Sequence, residues 1–291
     1  MYAAVLNRPD FKRRTLCDML EAAYVELMPI RGVEKQLHVL PAGAGVTVTC
    51  SPSKGIEATL DLVERLSQQD FRVIPHVAAR QVVDTGHLQE ILARLTEYRV
   101  NMIFVPGGDI EPPVGMFDSA LQLLQAMADI EHGIDEIGVA AHPEGHPVLD
   151  DETLMAALRA KQEFATYFVT QMCFSAETIA SWLARVREHG IHLPAWIGLP
   201  GAVERKKLFA DSLRIGVGES ARFAKQQPKL VRKLLRANAY QPDDLVLELA
   251  PHVDEARYDI AGLHLFSFNQ VEATQSWRTG FLDELRQQRS G

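Results

Sequence analysis

A single (β/α)8 barrel is the fold this sequence predicts, and three observations carry the prediction. Eight strand-like stretches alternate with helical ones along 291 residues. No linker or low-complexity segment divides the chain, so residues 1–291 read as one domain. Several strand candidates also end in a polar residue on a tight turn, which is how parallel α/β proteins bring chemistry to one mouth. Strands alternating with helices argue for parallel pairing. A doubly wound open sheet is the alternative, disfavoured because no G-x-G-x-x-G follows the first strand.

In chain order, residues 9–23 have the spacing of a short amphipathic helix. Tyr24 to Ile30 is strand-like and carries a lone acid, Glu26. Gly45 to Cys50 is rich in β-branched residues, and Ile56 to Gln69 puts Leu60, Val63 and Leu66 on one helical face. Arg72 to Ala79 is the next strand, His87 to Tyr98 a helix, and Asn101 to Val105 the fourth strand. Met116 to Asp129 reads as a helix and Glu136 to Ala141 as a strand. Asp150 and Asp151 open a helix running to Gln162, where acids suit the N-terminus. Tyr167 to Phe174 is a strand, followed by a helix capped near Ser175. Pro194 to Leu199 is a strand, followed by a helix from Val203 to Leu213. Residues 217–258 form a less regular, mostly helical insertion. Gly262 to Phe268 is the last strand and Gln270 to Gln288 the last helix.

Composition excludes several function classes. The chain carries a net charge of −8 and has no Lys/Arg block, so a nucleic-acid partner is not expected. No apolar run reaches the roughly 18 residues that a membrane helix needs. The first residues, with Asp10, Lys12, Arg13 and Arg14, lack the apolar core of a signal peptide. Cys17, Cys50 and Cys173 are odd in number, far apart and outside any CxxC pair. That pattern suggests a reducing cytoplasm, no disulfide framework and no zinc site. Nothing in the sequence specifies an oligomer.

The polar residues at the strand ends form a short list: Glu26, Thr49, His76, Asp109, His142, Glu144, His146 and Gln171. Asp109 stands out. It follows a buried-looking run and the turn Pro106-Gly107-Gly108, and Pro112, Pro113 and Gly115 hold the next loop open. Glu26 sits in an apolar strand, where an unpaired carboxylate costs several kcal/mol, so it is either a structural ion-pair partner or a functional acid. His76 is either a satisfied core histidine or a site residue. Gln171 lies in a stretch expected to be buried, where an amide needs partners that protein or ligand could supply. His142, Glu144 and His146 are too loosely spaced, with prolines between them, to read as a metal site.

The order of motifs resembles the methylenetetrahydrofolate reductase family over about residues 22 to 275. The family's opening "FEFFPPR" is similar to Val25-Glu-Leu-Met-Pro-Ile-Arg31, and its "VSVTYGAGG" to Val46-Thr-Val-Thr-Cys-Ser51. Its "PHLTC" resembles Pro75-His-Val-Ala-Ala79, and "LRGDPP" resembles Pro106-Gly-Gly-Asp-Ile-Glu-Pro-Pro113. "VAAYPEGHP" is nearly reproduced in Val139-Ala-Ala-His-Pro-Glu-Gly-His-Pro147. "ITQFFFD" is similar to Val169-Thr-Gln-Met-Cys-Phe-Ser175, and "GIPVPIIPGI-P" to the stretch from Gly190 to Pro200. The closing "FHFYTLNR" resembles Leu263-His-Leu-Phe-Ser-Phe-Asn269.

This resemblance implies a barrel that reduces methylenetetrahydrofolate to methyltetrahydrofolate, with FAD carrying hydride from NADH or NADPH. It implies that Glu26 protonates the folate and opens its five-membered ring to an iminium, and that Asp109 lies near flavin and pterin. Gln171 would bind the pterin, and Phe209 would contact substrate or nicotinamide. Thr49, His76, Gly108, His142, His146 and Lys161 would fall at cofactor-contacting positions. The roles agree with the chemistry. Burial raises a carboxylic acid into a useful range for proton donation, and a fixed anion stabilises developing positive charge.

The chain departs from the family where the flavin would sit. The arginine of the usual Arg-Gly-Asp is Gly107. The tyrosine of "AAYPE" is His142. The "K-x-DAGAD" turn is replaced by Ala160 to Thr166, with Lys161 left as a cation for the pyrophosphate. The glycine-rich "YGAGG" has become Cys50 to Lys54. Three readings therefore stay open. They are a reductase with weak or no flavin, in the second case passing hydride directly from NADH; a reductase holding FAD through substituted contacts; and a catalytically silent folate-binding or partner subunit.

Overall fold

A computed structural model describes residues 13–146, 149–204 and 239–287. The strands are β1 (Tyr24–Leu27), β2 (Gly45–Val48), β3 (Arg72–Pro75), β4 (Met102–Val105), β5 (Glu136–Ala141), β6 (Tyr167–Thr170) and β7 (Ala195–Pro200). The short β8 (Val203–Glu204) and β9 (Ala239–Tyr240) come next, and β10 (Ile260–Phe266) is last. Eight of them form one sheet in the order β3-β2-β1-β10-β7-β6-β5-β4, and all its ladders are parallel. The two ends meet. His76 bridges to Phe104, the Val77 N–H donates to the Phe104 carbonyl at 2.8 Å, and the Ala79 N–H donates to the Pro106 carbonyl at 3.0 Å. The sheet is therefore a barrel, and the open doubly wound alternative is excluded.

Helices α1 (Arg13–Ala22), α2 (Gly55–Ser67), α3 (Thr85–Glu97), α4 (Ala120–Ala128), α5 (Asp151–Lys161), α6 (Ala176–Glu188), α7 (Asp243–Val253) and α8 (Val271–Gln287) are interleaved with the strands. Their starts obey capping chemistry. Asp84, Ser119, Asp150 and Ser175 each accept a backbone N–H from three residues downstream. On α2, Leu60, Val63 and Leu66 are fully buried, as the helical spacing predicts. Among the described residues no helix is long and apolar enough to cross a membrane.

Three aromatic–glycine pairs fill one end of the barrel. Gly138 lies opposite Tyr167, and Gly262 opposite Trp196, in the β-ladders. A Cβ added to Gly45, Gly138 or Gly262 would come within 2.6, 2.4 or 2.4 Å of the Tyr24, Tyr167 or Trp196 ring. Tyr24 and Trp196 meet edge-on at 5.1 Å, and the Tyr167 hydroxyl donates to the Ile103 carbonyl at 3.2 Å. The rings plug the barrel where the strands begin and leave the other end open for polar groups.

Several expected boundaries shift for local reasons. The predicted β3 and β6 ran too long because the apolar pattern continues past the ladder. Val77, Ala78, Met172 and Cys173 are buried but lie in loops beyond the ladders, and the buried Ala79 opens a short 3-10 turn. α4 starts at Ala120 rather than Met116, because Ser119 caps it and the Met116 N–H donates instead to the Val83 carbonyl at 2.8 Å. The helix expected from Val203 is corrected at its start. Val203–Glu204 pairs antiparallel with Ala239–Tyr240, and the remainder of that stretch lies outside the described residues.

Candidate active site

Glu26 lies on β1, one residue before the strand ends. Its carboxylate is not alone. His264 Nε2 on the neighbouring β10 stands 3.2 Å from Glu26 Oε2, with the two side chains 5% and 14% exposed. The chain after β10 wraps onto the same segment. Ser267 Oγ donates to the Glu26 carbonyl at 2.5 Å, and Asn269 brackets Met28, accepting from its N–H at 2.7 Å and donating to its carbonyl at 3.0 Å. Glu26 is thus a paired acid aimed at the mouth. His264, Ser267 and Asn269 were not among the expected site residues. The signal was a histidine interrupting an apolar strand, as Glu26 interrupts β1.

His76, just past β3, is buried. Its ring packs against Phe104 at 4.7 Å and lies 6.3 Å from the His264 ring. Burial, and then the nearby His264, hold its imidazolium form well below the ordinary histidine range, so it is neutral near pH 7. Its Nε2 is buried without a partner among the described residues, as are Thr47 Oγ1 and Thr49 Oγ1. Buried polar atoms are normally paired, so these three invite a ligand or solvent. Tyr24, Thr47, Ile74, His76, Phe104, Val169 and His264 surround a small internal cavity below the mouth.

Asp109 is exposed on the β4–α4 loop. Gly108 takes φ +92°, and a Cβ there would sit 3.2 Å from the Ala78 Cβ, so only glycine lets the turn settle on the β3 loop. Arg80 anchors the remainder of this loop, donating to the Ile110 and Asp118 carbonyls and pairing with Glu111 at 2.5 Å. Partial burial holds His146 below the ordinary histidine range, and the charge of Asp109 opposes that shift in part.

His142 and His146 meet edge-on at 5.3 Å after β5. Burial, then His146 and Lys161, depress His142 to about 4, so it too is neutral near pH 7. Glu144 turns away and accepts the Phe174 N–H at 3.0 Å. Among the described residues no three His, Cys, Asp or Glu side chains form a group able to hold a metal ion. Lys161 points inward. Its Nζ donates to the Ala140 carbonyl at 3.1 Å, and burial lowers it to about 8.

Gln171 comes directly after β6 and corrects one expectation. Its side chain is exposed rather than buried, because β6 ends at Thr170 and the next residue is already on the rim. Its Oε1 accepts the Met172 N–H at 2.9 Å, which orients the amide without a ligand. Glu26, Thr49, His76, Gly108, Asp109, His142, His146 and Gln171 therefore all stand at the C-terminal ends of the barrel strands, the end where barrel enzymes place their sites. Close pairing joins Glu26 to His264 and His142 to His146, and Asp109 interacts electrostatically with His146. Lys161 lies beneath this rim, and Phe209 lies outside the described residues.

Solved structures resemble the chain only loosely. One described as a phosphonomutase from Burkholderia cenocepacia J2315 is 14% identical with a TM-score of 0.49, covering 95% of this chain and 99% of that one. One described as a deoxyribose-phosphate aldolase from Toxoplasma gondii ME49 is 12% identical with a TM-score of 0.49, covering 92% and 98%. A muconate cycloisomerase from Azorhizobium caulinodans is 14% identical with a TM-score of 0.37, covering 62% and 49%. These likenesses bear no weight for chemistry. The family model of methylenetetrahydrofolate reductase, by contrast, matches residues 28–202, well over half of the chain. The match takes in seven of the rim positions, from Thr49 to Gln171, and stops short of Glu26 and β10. With the barrel and its polar rim in place, that match identifies the chain as a member of the methylenetetrahydrofolate reductase family.

Proposed function

We propose that this barrel reduces 5,10-methylenetetrahydrofolate to 5-methyltetrahydrofolate with hydride taken directly from NADH or NADPH. Family membership supports a folate oxidoreductase, and the Glu26–His264 pair at the barrel mouth carries the finer reading. Glu26 gives its proton to N10 of the folate. The bond between N10 and the methylene carbon breaks with its electron pair passing to N10, leaving an N5 iminium. The dihydronicotinamide ring then delivers hydride to that carbon and leaves as the oxidised cofactor. Asp109, a carboxylate at the mouth, offsets the positive charge of the iminium. Gln171, its amide already oriented by Met172, offers a hydrogen-bonding edge to the pterin. Phe209, matched to an aromatic contact, is the proposed platform for substrate or nicotinamide.

The residues matched to FAD do not make a full cradle for it. The family's arginine is Gly107, and the surviving cation, Lys161, is spent on the Ala140 carbonyl rather than offered to a pyrophosphate. Each missing charge-assisted bond costs about 1.5–3 kcal/mol, enough to weaken flavin binding by orders of magnitude. No step of the proposed reaction therefore runs through flavin. A second reading, in which FAD still relays the hydride, is favoured by Thr49 Oγ1 and His76 Nε2, both without a partner among the described residues and both matched to flavin-contacting positions.

One experiment separates these readings. The visible spectrum of the purified protein is recorded, and NADH and NADPH oxidation is monitored with methylenetetrahydrofolate, with and without added FAD. Turnover by a colourless protein is the expected result. A yellow protein, or turnover only with FAD, supports the relay. No turnover under either condition leaves a folate-binding subunit and overturns the reductase reading.

A further inference from the structure

We propose that His264 is the positioning residue for Glu26, and that the chain beyond it, through Ser267 and Asn269, is the frame that holds the acid's strand at the mouth. The inference rests on the reductase reading and assigns its proton donor a support.

Three observations converge on it. The β1–β10 ladder registers Tyr24 with His264 and Val25 with Leu265, and stops there, one residue short of Glu26. From that point side chains replace backbone pairing on the β10 side of β1, while the ladder to β2 continues through Glu26 and Leu27. His264 takes the Glu26 carboxylate, Ser267 the Glu26 carbonyl, and Asn269 both backbone groups of Met28. Glu26 to Met28 are thus held from β10 at each polar group that these side chains can reach.

The backbone also bends to make this possible. Phe268 and Asn269 sit at φ +50° and +55°. Asparagine tolerates that region, but for a bulky phenylalanine it is an outlier, and such strain persists where the surroundings over-determine it. Here the bend carries Asn269 onto Met28. Strain of this kind clusters at functional sites.

The polar pair itself has no need to exist for folding. Apolar side chains of similar volume at a nearly buried pair are often neutral or stabilising, so a carboxylate facing an imidazole at the mouth is better explained by the acid's task. Behind His264 lies His76, whose ring is 6.3 Å away and neutral near pH 7. The imidazole of His264 therefore has the Glu26 carboxyl group on one side and the uncharged His76 ring on the other.

The test is a double-mutant cycle on kcat with NADH and methylenetetrahydrofolate, using Glu26→Gln, His264→Phe, His264→Gln and the pairwise combinations with Glu26→Gln. His264→Phe is expected to lower kcat about 10²-fold, the scale of an ångström-level misplacement, with KM for the folate within about threefold. His264→Gln, whose amide nitrogen reaches where Nε2 stood, restores most of that loss. In the Glu26→Gln background His264→Phe costs nothing further, because the group it positions is already gone. A merely structural histidine gives the opposite pattern: multiplicative losses, no rescue by glutamine and a lowered melting temperature. That pattern, or wild-type kcat in His264→Phe, overturns the proposal while leaving Glu26 as the acid. Wild-type turnover in Glu26→Gln overturns the acid and its support together. Should His264→Phe fail to fold, His264→Asn, polar but too short to reach Glu26, takes its place with the same expectations.

Discussion

Gly262 on β10 and Trp196 on β7 lie directly opposite in the barrel ladder, and a Cβ on the glycine would come 2.4 Å from the indole ring. The same relation holds for Gly138 with Tyr167, so the rings occupy space that the neighbouring strand vacates. Gly262→Ala is therefore an overpacking change in a full core, expected to cost about 1–3 kcal/mol. Urea unfolding checks it: the midpoint falls while the slope stays at its wild-type value. An unchanged midpoint would mean that the indole can shift freely and that the plug is loosely packed.

His142 makes the rim acid-sensitive. Its folded form holds a proton only below about 4, against an ordinary value of 6.5. Between these values the unfolded chain binds the proton and the folded one does not, so stability is full above 6.5 and is lost as pH falls toward 4. His76, depressed in the same direction, adds to the slope. His142→Tyr, which installs the residue usual in the family, is expected to flatten this acid limb without abolishing it. Urea midpoints measured across that window decide the matter, and an identical slope in the variant would sink the assignment to His142.

Lys161 gives a second, alkaline limb. Burial brings its folded value to about 8, from an ordinary 10.5. Between the two the unfolded chain again binds the extra proton, so stability climbs as pH rises from about 8 toward 10.5, and below 8 the chain carries the cost of a buried ammonium. Lys161→Met is expected to remove that climb and to be no less stable than wild type near neutral pH, the lost bond to the Ala140 carbonyl being offset by the relief of a buried charge. Thermal unfolding across the alkaline window tests it. A variant that keeps the climb would show that another group is responsible.

Much of the barrel was legible in the chain because its signals are local. Alternating strand and helix periods, caps such as Asp150 and Ser175, and the glycine turn before Asp109 are written within a few residues of where they act. Strand ends were less legible, since Val77, Ala78, Met172 and Cys173 are as buried in loops as they would be in a ladder. Hydrophobicity reports burial, not hydrogen-bond register.

By itself the sequence determined the order of the eight barrel strands, the parallel architecture their alternation with helices implies, and which polar side chains stand near strand ends. It could not determine what each of those side chains faces. Glu26 and His264 are 238 positions apart and become a pair because barrel closure sets β1 beside β10. Lys161 turns inward to a carbonyl, Gln171 turns outward, and His142 is neutral, because burial and neighbours are properties of the assembled barrel rather than of the residues in it.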